Sequence, residues 1–265
     1  MDIRSGNPVW KQAFSGSSEW AGPAGAGTGA VQERDQAAVM TYAGTVNRAL
    51  LLVGFLVLGA GWTWFLFATR GPGAVLPWMI GGLVLGLIAV FALYFKPIWS
   101  PVLAPVYAVC EGLAIGGISA VFNSLYQGIV IQAAGLTVGT LFVMLTLYQL
   151  GIVRATAKFK MGMLAAMGAI MLFYLVTFIL GFIPATQAAA TGLISGHGGL
   201  SIAISVVIVI VAAFCLILDF DMIDQGVQQG APKYMEWYAG FGLLVTLVWL
   251  YLEILSLLAK MQDRR

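Results

Sequence analysis

The chain has 265 residues, of which 60% are hydrophobic and only 9% are charged, and its mean hydropathy is +0.94. Soluble domains carry about 25% charged residues. The composition therefore excludes an ordinary soluble protein and indicates a polytopic membrane protein. The formal net charge of +2 gives no indication of nucleic acid binding, because membrane topology accounts for the basic residues.

Residues 1–44 mix Gly, Ser, Ala and charged residues without apolar periodicity, and they lack the charged-then-apolar order of a cleaved signal peptide. We expect them to form a disordered cytoplasmic tail. Residues 45–265 are predicted to form one transmembrane domain, because seven stretches reach the ~20 apolar residues that a bilayer requires. These stretches cover about 49–69, 74–94, 102–122, 128–150, 162–183, 201–220 and 239–259. The predicted fold class is an all-α polytopic membrane protein with seven transmembrane helices.

Basic residues predict the orientation of these helices. A cytoplasmic N-terminus places nine of them inside and four outside, which agrees with the positive-inside rule. The inner group is Arg4, Lys11, Arg34, Arg48, Lys96, Arg154, Lys158, Lys160 and Lys233, and the outer group is Arg70, Lys260, Arg264 and Arg265.

Three carboxylates, Glu111, Asp219 and Glu253, lie in apolar stretches that contain neither lysine nor arginine. A charged side chain at the centre of a bilayer costs roughly 2.5–3.5 kcal/mol even on insertion scales, so such residues usually face the interior of a bundle and mark an ion or proton path. Helical spacing places small residues on one side of Glu111, which predicts that it points inward as part of such a path. The alternative is a protonated acid with a packing role only.

The end of the sixth stretch is rich in acids, with Asp219 inside it and Asp221 and Asp224 just beyond it. Acids near a helix C-terminus oppose the helix dipole. One explanation is that Asp221 and Asp224 attract cations to the inner mouth of a pathway, and the other is a solvated helix end. Asp219 and Glu253 approach each other if packing draws Asp219 inward, and two carboxylates in contact share a proton and sense pH.

Other chemistries find little support. Cys110 and Cys215 lie in separate spans without partners at metal-ligand spacing, so neither a disulfide nor a metal site is assigned. His197 lies alone in an outer loop and no HExxH motif occurs, which disfavours a metalloprotease. A retinal protein would need a lysine inside the last span, and Lys260 is predicted just past its end. We expect neither an enzyme nor a cofactor.

The segments EGLAIGGIS, LDFDMID and EWYAGFGLLVTLVWLYLEILSLL resemble the Bax inhibitor family, in particular its bacterial YccA-like branch, and the similarity spans residues 40–262. The resemblance implies six helices around a central seventh. It also implies a pH-sensitive latch of two acids, which fall on Asp219 and Glu253, and a basic latch partner, for which the nearest residue is Lys96.

The resemblance implies a pH-regulated leak channel for cations, with Ca²⁺ as the expected ion, in a bacterial inner membrane. Hard cations such as Ca²⁺ prefer oxygen ligands, which carboxylates supply. The alternative is a non-conducting partner that regulates a membrane-bound AAA protease. In that case the tail and the loop GIVRATAKFK would matter more than the acids.

The charge asymmetry and the odd number of spans predict opposite sides for the two termini. A reporter fused before Met1 should be cytoplasmic, and one fused after Arg265 should be external. Finding both reporters on one side would contradict a seven-span topology.

Overall fold

The computed structural model describes residues 39–183, 186–187, 192, 196 and 198–263. Most of the tail predicted for residues 1–44 lies outside this range, because only residues 39–44 of it are described. His197, Arg264 and Arg265 also lie outside the described residues. Seven helices within the described residues are long and apolar enough to cross a membrane. They are α1 (Tyr42–Arg70), α2 (Pro72–Phe95), α3 (Ser100–Leu125), α4 (Ile129–Gln149), α5 (Ala157–Gly181), α6 (Gly199–Gln228) and α7 (Met235–Gln262), with a 3₁₀ turn at Pro97–Trp99 before α3.

Local chemistry sets where several helices begin. Thr41 and Thr156 cap α1 and α5, because their hydroxyls accept hydrogen bonds from the backbone N–H groups of Gly44 and Phe159. Gly128 adopts a left-handed conformation with φ of 83° just before α4, and its N–H donates to the side chain of Asn123. Proline occupies the first turns of α2 and α3, where a missing N–H costs nothing.

The predicted all-α fold with seven membrane-spanning helices is confirmed, and the chain is a multi-pass membrane protein. Two helices continue past their apolar stretches. α6 runs eight residues beyond the predicted end at residue 220 to Gln228, and α7 includes Lys260. An apolar window finds only the part of a helix that lies in hydrocarbon, whereas these extensions carry polar residues that find partners in the bundle.

α7 occupies the interior, as predicted. It packs against α1, α3, α4 and α6, and Tyr174 of α5 reaches it through a hydrogen bond. α3 shares the interior and is the most buried of the seven spans. α5 is the least buried span, and apart from that hydrogen bond its packing is mainly against α6.

Glycines bring α1 and α3 into backbone contact. A Cβ atom added at Gly59 would lie 2.5 Å from the carbonyl oxygen of Val109, and one added at Gly112 would lie even closer to the carbonyl oxygen of Leu56. Small residues of this kind drive helix association in lipid. Gly112 and Gly116 of α3 are four residues apart, and both lie close to α1. Gly135 and Gly139 have the same spacing, but a Cβ at either position meets open space. Spacing alone therefore does not identify the packing glycines.

Gly112→Ala should destabilise the fold by about 1–3 kcal/mol, because overpacking a close contact forces the backbones apart. Gly135→Ala is the matched control and should be neutral or slightly stabilising, since alanine favours the helix. Thermal unfolding of both variants in detergent measures the difference. Equal unfolding temperatures would contradict the close contact of α1 and α3.

Candidate functional site

Polar residues of α7 form a stripe along one face of the helix. Thr246, Trp249, Glu253, Ser256 and Lys260 follow alternating steps of three and four residues. The stripe places a carboxylate and an amine at bilayer depth on a helix that is otherwise apolar. Such groups require partners on neighbouring helices.

Glu253 is buried and hydrogen bonded. Its Oε1 atom accepts a 2.7 Å hydrogen bond from the hydroxyl of Tyr174 on α5 and a 3.2 Å hydrogen bond from the indole N–H of Trp249. Trp249 lies one turn before Glu253, the direction in which helical side chains lean. Two donors on one carboxylate oxygen fix the position of this acid.

Asp219 of α6 faces the first part of the same stripe. Its Oδ1 atom would lie 3.9 Å from a Cβ placed on Gly242, and its polar neighbour on α7 is Thr246, whose hydroxyl donates to the carbonyl oxygen of Gly242 at 3.3 Å. Its other oxygen, Oδ2, is buried and has no hydrogen-bond partner. A buried polar atom without a partner is costly and calls for an explanation.

Lys260 marks the far end of the stripe. Its ammonium is buried and donates a 2.7 Å hydrogen bond to the hydroxyl of Ser205 on α6. Asp219 of α6 neighbours Thr246 of α7, and Ser205 of α6 neighbours Lys260 of α7. The two α6 residues are fourteen positions apart, and so are the two α7 residues, in the opposite chain direction. The two helices therefore keep one antiparallel register over this length. Midway, the register places Glu253 opposite Ala212, whose small side chain leaves room for the acid.

This register does not bring Asp219 and Glu253 into the direct pair that the resemblance implied. Asp219 lies beside Thr246, seven residues or about 10 Å along α7 from Glu253. The hydrogen bonds of Glu253 go instead to Tyr174 and Trp249. Glu253 lies on this face of α7 and Asp219 of α6 packs against it about two turns away, so the expectation of direct contact is corrected.

We call this set the α6–α7 file. Its members are Asp219 with Thr246, Glu253 with Tyr174 and Trp249, and Lys260 with Ser205.

Asp221 and Asp224 both have partners at the end of α6. Asp221 forms an ion pair with Lys160 of α5 and accepts a hydrogen bond from Gln225. Asp224 accepts hydrogen bonds from the hydroxyls of Tyr42 on α1 and Tyr148 on α4. These acids join α6 to three other helices, which gives them a structural role that the sequence did not indicate.

Glu111 faces α2, where its Oε2 atom would lie 3.4 Å from a Cβ placed on Gly86. It is half-buried, and it makes no hydrogen bond to Asp219 or Glu253. The buried Ala104, Ala108 and Ala114 confirm that much of this face of α3 packs inside the bundle. Glu111 is thus separate from the α6–α7 file in this structure.

Lys96, the proposed latch partner, is not at the file. Lys96 follows the last residue of α2 and is exposed. Its ammonium lies 4.7 Å from the centre of the Trp99 ring. The expectation that Lys96 engages the acids is corrected, since this contact directs its charge to an aromatic face at the surface.

A second buried acid, Glu236, escaped the sequence analysis. Its carboxylate accepts hydrogen bonds from the backbone N–H and the hydroxyl of Thr41, at 3.0 and 2.9 Å, and pairs with Lys233 at 2.9 Å. Gly44 allows this contact, because a Cβ there would collide with the carboxylate. The acid position early in α7 resembled an ordinary solvated first turn, and only the approach of α1 buries it.

The file provides no preformed metal site. Among the described residues, no three His, Cys, Asp or Glu side chains cluster closely enough to hold a metal ion. Cys110 and Cys215 are buried and unpaired with each other. The file therefore offers single ionisable side chains at intervals along the α6–α7 contact.

A sequence profile described as Bax inhibitor 1 like matches residues 7–263. The chain belongs to this Bax inhibitor family. No curated protein and no solved structure shows significant similarity to the chain. The matched range includes all seven helices and therefore the α6–α7 file.

In this family member, Tyr174 is the link between α5 and the file. Tyr174→Phe should lower the thermal unfolding temperature in detergent, because Glu253 loses a donor whose hydrogen bond to a charged group is worth about 1.5–3 kcal/mol. Tyr94→Phe is the control, since Tyr94 is 74% exposed. The loss should disappear in a Glu253→Met background, whose side chain offers no oxygen acceptor, if the hydrogen bond causes it. An equal loss in both backgrounds would assign Tyr174 to packing alone.

Proposed function

We propose that this Bax inhibitor family member provides a pH-regulated pathway for cations, with Ca²⁺ as the expected ion, across a bacterial inner membrane. The observation that supports it best is the α6–α7 file, in which Glu253 and Lys260 lie on one face of α7 and Asp219 of α6 packs against the same face inside an apolar bundle. Intramembrane ionisable groups are expensive and usually mark ion or proton paths.

Asp219 is the proposed pH sensor. Its Oδ2 atom is buried without a hydrogen-bond partner, and an unpaired buried charge is far more costly than a neutral polar group. A protonated Asp219 fits the closed bundle. When the proton leaves, the new charge favours entry of water or a cation between α6 and α7.

Glu253 is the proposed relay at the middle of the path. Its hydrogen bonds to Tyr174 and Trp249 keep the carboxylate oxygen at the boundary of α5, α6 and α7. An open apolar groove lies along part of the contact between α5 and α6 and is lined by Ala169, Ile170, Phe173, Ala203, Ile204, Val207 and Ile208. A loosely packed α5 can therefore move away from Glu253 without breaking a dense core.

The sparse acids favour a leak over tight binding. Ca²⁺ takes six to eight oxygen ligands, whereas the acids of the file lie about 10 Å apart. A cation in this path keeps much of its water and does not remain bound. No enzymatic step is proposed.

Ca²⁺ entry into liposomes that carry the purified protein, followed from acid to mildly alkaline pH, tests this function. Flux through the wild type should rise as pH rises, because loss of a proton charges the file. Asp219→Asn should give low and nearly pH-independent flux, since the amide cannot ionise. Glu253→Gln should also reduce flux, while Glu253→Asp should retain pH dependence because it keeps a carboxylate.

Asp221→Asn is the control for Asp219→Asn. It lies two residues away on α6 and pairs with Lys160 outside the file, so its pH response should persist. A wild-type pH response in both Asp219→Asn and Glu253→Gln would show that these acids are structural. That result would favour the protease-partner alternative.

A further inference from the structure

Lys260 is a buried cation near the outer end of α7. Only 8% of its surface is exposed, and its ammonium donates to the hydroxyl of Ser205 at 2.7 Å. It lies in the last turn of α7, where a positive charge favours the helix dipole. The dipole explains a lysine in this turn, but it does not explain why the side chain is buried.

Lysines near the end of a membrane helix usually extend toward water and keep the ammonium hydrated. Lys260 does the opposite. Side chains lean toward the N-terminus of their helix, and for the last turn of α7 that direction leads back into the bundle. Ser205 then holds the ammonium on the inner face of α6.

The stripe of α7 presents Glu253 as the nearest buried acid to Lys260 on the same face. The two residues are seven positions apart, or about 10 Å along the helix axis, and they form no direct ion pair. Ser205 of α6 holds the amine, and Tyr174 of α5 faces the acid. The remaining acid at this end, Asp263, is exposed and accepts a hydrogen bond from Tyr126.

We propose that Lys260 is the built-in counter-cation of Glu253, and that it limits entry of other cations from the outer end of the file. The inference rests on the proposed function in assigning a pathway to the file. A cation entering from that end meets the fixed ammonium before it reaches Glu253, and like charges repel strongly where the dielectric constant is low. Removing the ammonium leaves Glu253 free to attract a mobile cation instead.

Ca²⁺ flux into liposomes compares Lys260 with a lysine that lies outside the file. Lys260→Met keeps the length and apolar stem of the side chain but removes the charge, and it should raise flux several-fold. Lys260→Arg should stay near the wild type because the charge remains. Ser205→Ala should give a smaller increase, since the ammonium loses its anchor. Lys96→Met is the matched control, and its flux should equal the wild type because Lys96 faces Trp99 at the surface.

A second measurement does not depend on flux. Thermal unfolding of Glu253→Gln, Lys260→Met and the double variant forms a cycle, in which coupled charges give a double effect smaller than the sum of the single effects. Non-additive losses support the counter-cation, and strictly additive losses overturn it. Should no protein in the series conduct Ca²⁺, the proposed pathway fails, and this cycle alone decides the pairing of Lys260 with Glu253. Equal flux from Lys260→Met and Lys96→Met, in a wild type that conducts, would overturn the limiting role.

Discussion

Charged groups on α7 must be kept out of lipid, and this constraint governs the arrangement of its neighbours. Glu253 and Lys260 lie on one face of the helix, and each finds a hydrogen-bond partner on another helix, namely Tyr174 and Ser205. An unsatisfied polar group in hydrocarbon costs several kcal/mol. α7 can therefore occupy only a position where α5 and α6 cover its polar face.

The rest of the bundle makes that position available. Close glycine contacts join α1 to α3 through Gly59 and Gly112, and α7 packs against both helices on the sides away from the file. At the end of the bundle where α6 stops and α7 begins, Asp221, Asp224 and Glu236 tie α6 and α7 to α1, α4 and α5. The least buried helix, α5, is left as the element that can move with the smallest loss of packing.

Much of this architecture follows from the sequence. Seven apolar stretches predicted the seven helices, and the cost of a charge in lipid predicted that Glu253 faces the interior of the bundle. The sequence predicted less well which residues each acid contacts in the bundle. A pattern along one helix shows which residues share a face, but the partner of that face depends on the register between helices.

That register explains the two corrected expectations. Asp219 lies opposite Thr246, two turns from Glu253, because α6 and α7 pair with an offset that neither sequence pattern contains. The resemblance placed the basic latch partner at Lys96, but Lys96 contacts Trp99 at the surface. The buried lysine of the file is Lys260, which contacts Ser205. An apolar window placed Lys260 outside the span, and only the continuation of α7 to Gln262 brings it into the bundle.

The account depends most directly on the register of α6 against α7, which cysteine cross-linking can measure in native membranes. In a background with Cys110→Ala and Cys215→Ala, Val209→Cys with Ser256→Cys places two thiols opposite each other midway between Glu253 and Lys260. A short bifunctional thiol reagent should link this pair efficiently. It should link Val207→Cys with Ser256→Cys poorly, because Val207 is 57% exposed on another face of α6. Equal linking of both pairs, or preference for the second, would contradict the α6–α7 file.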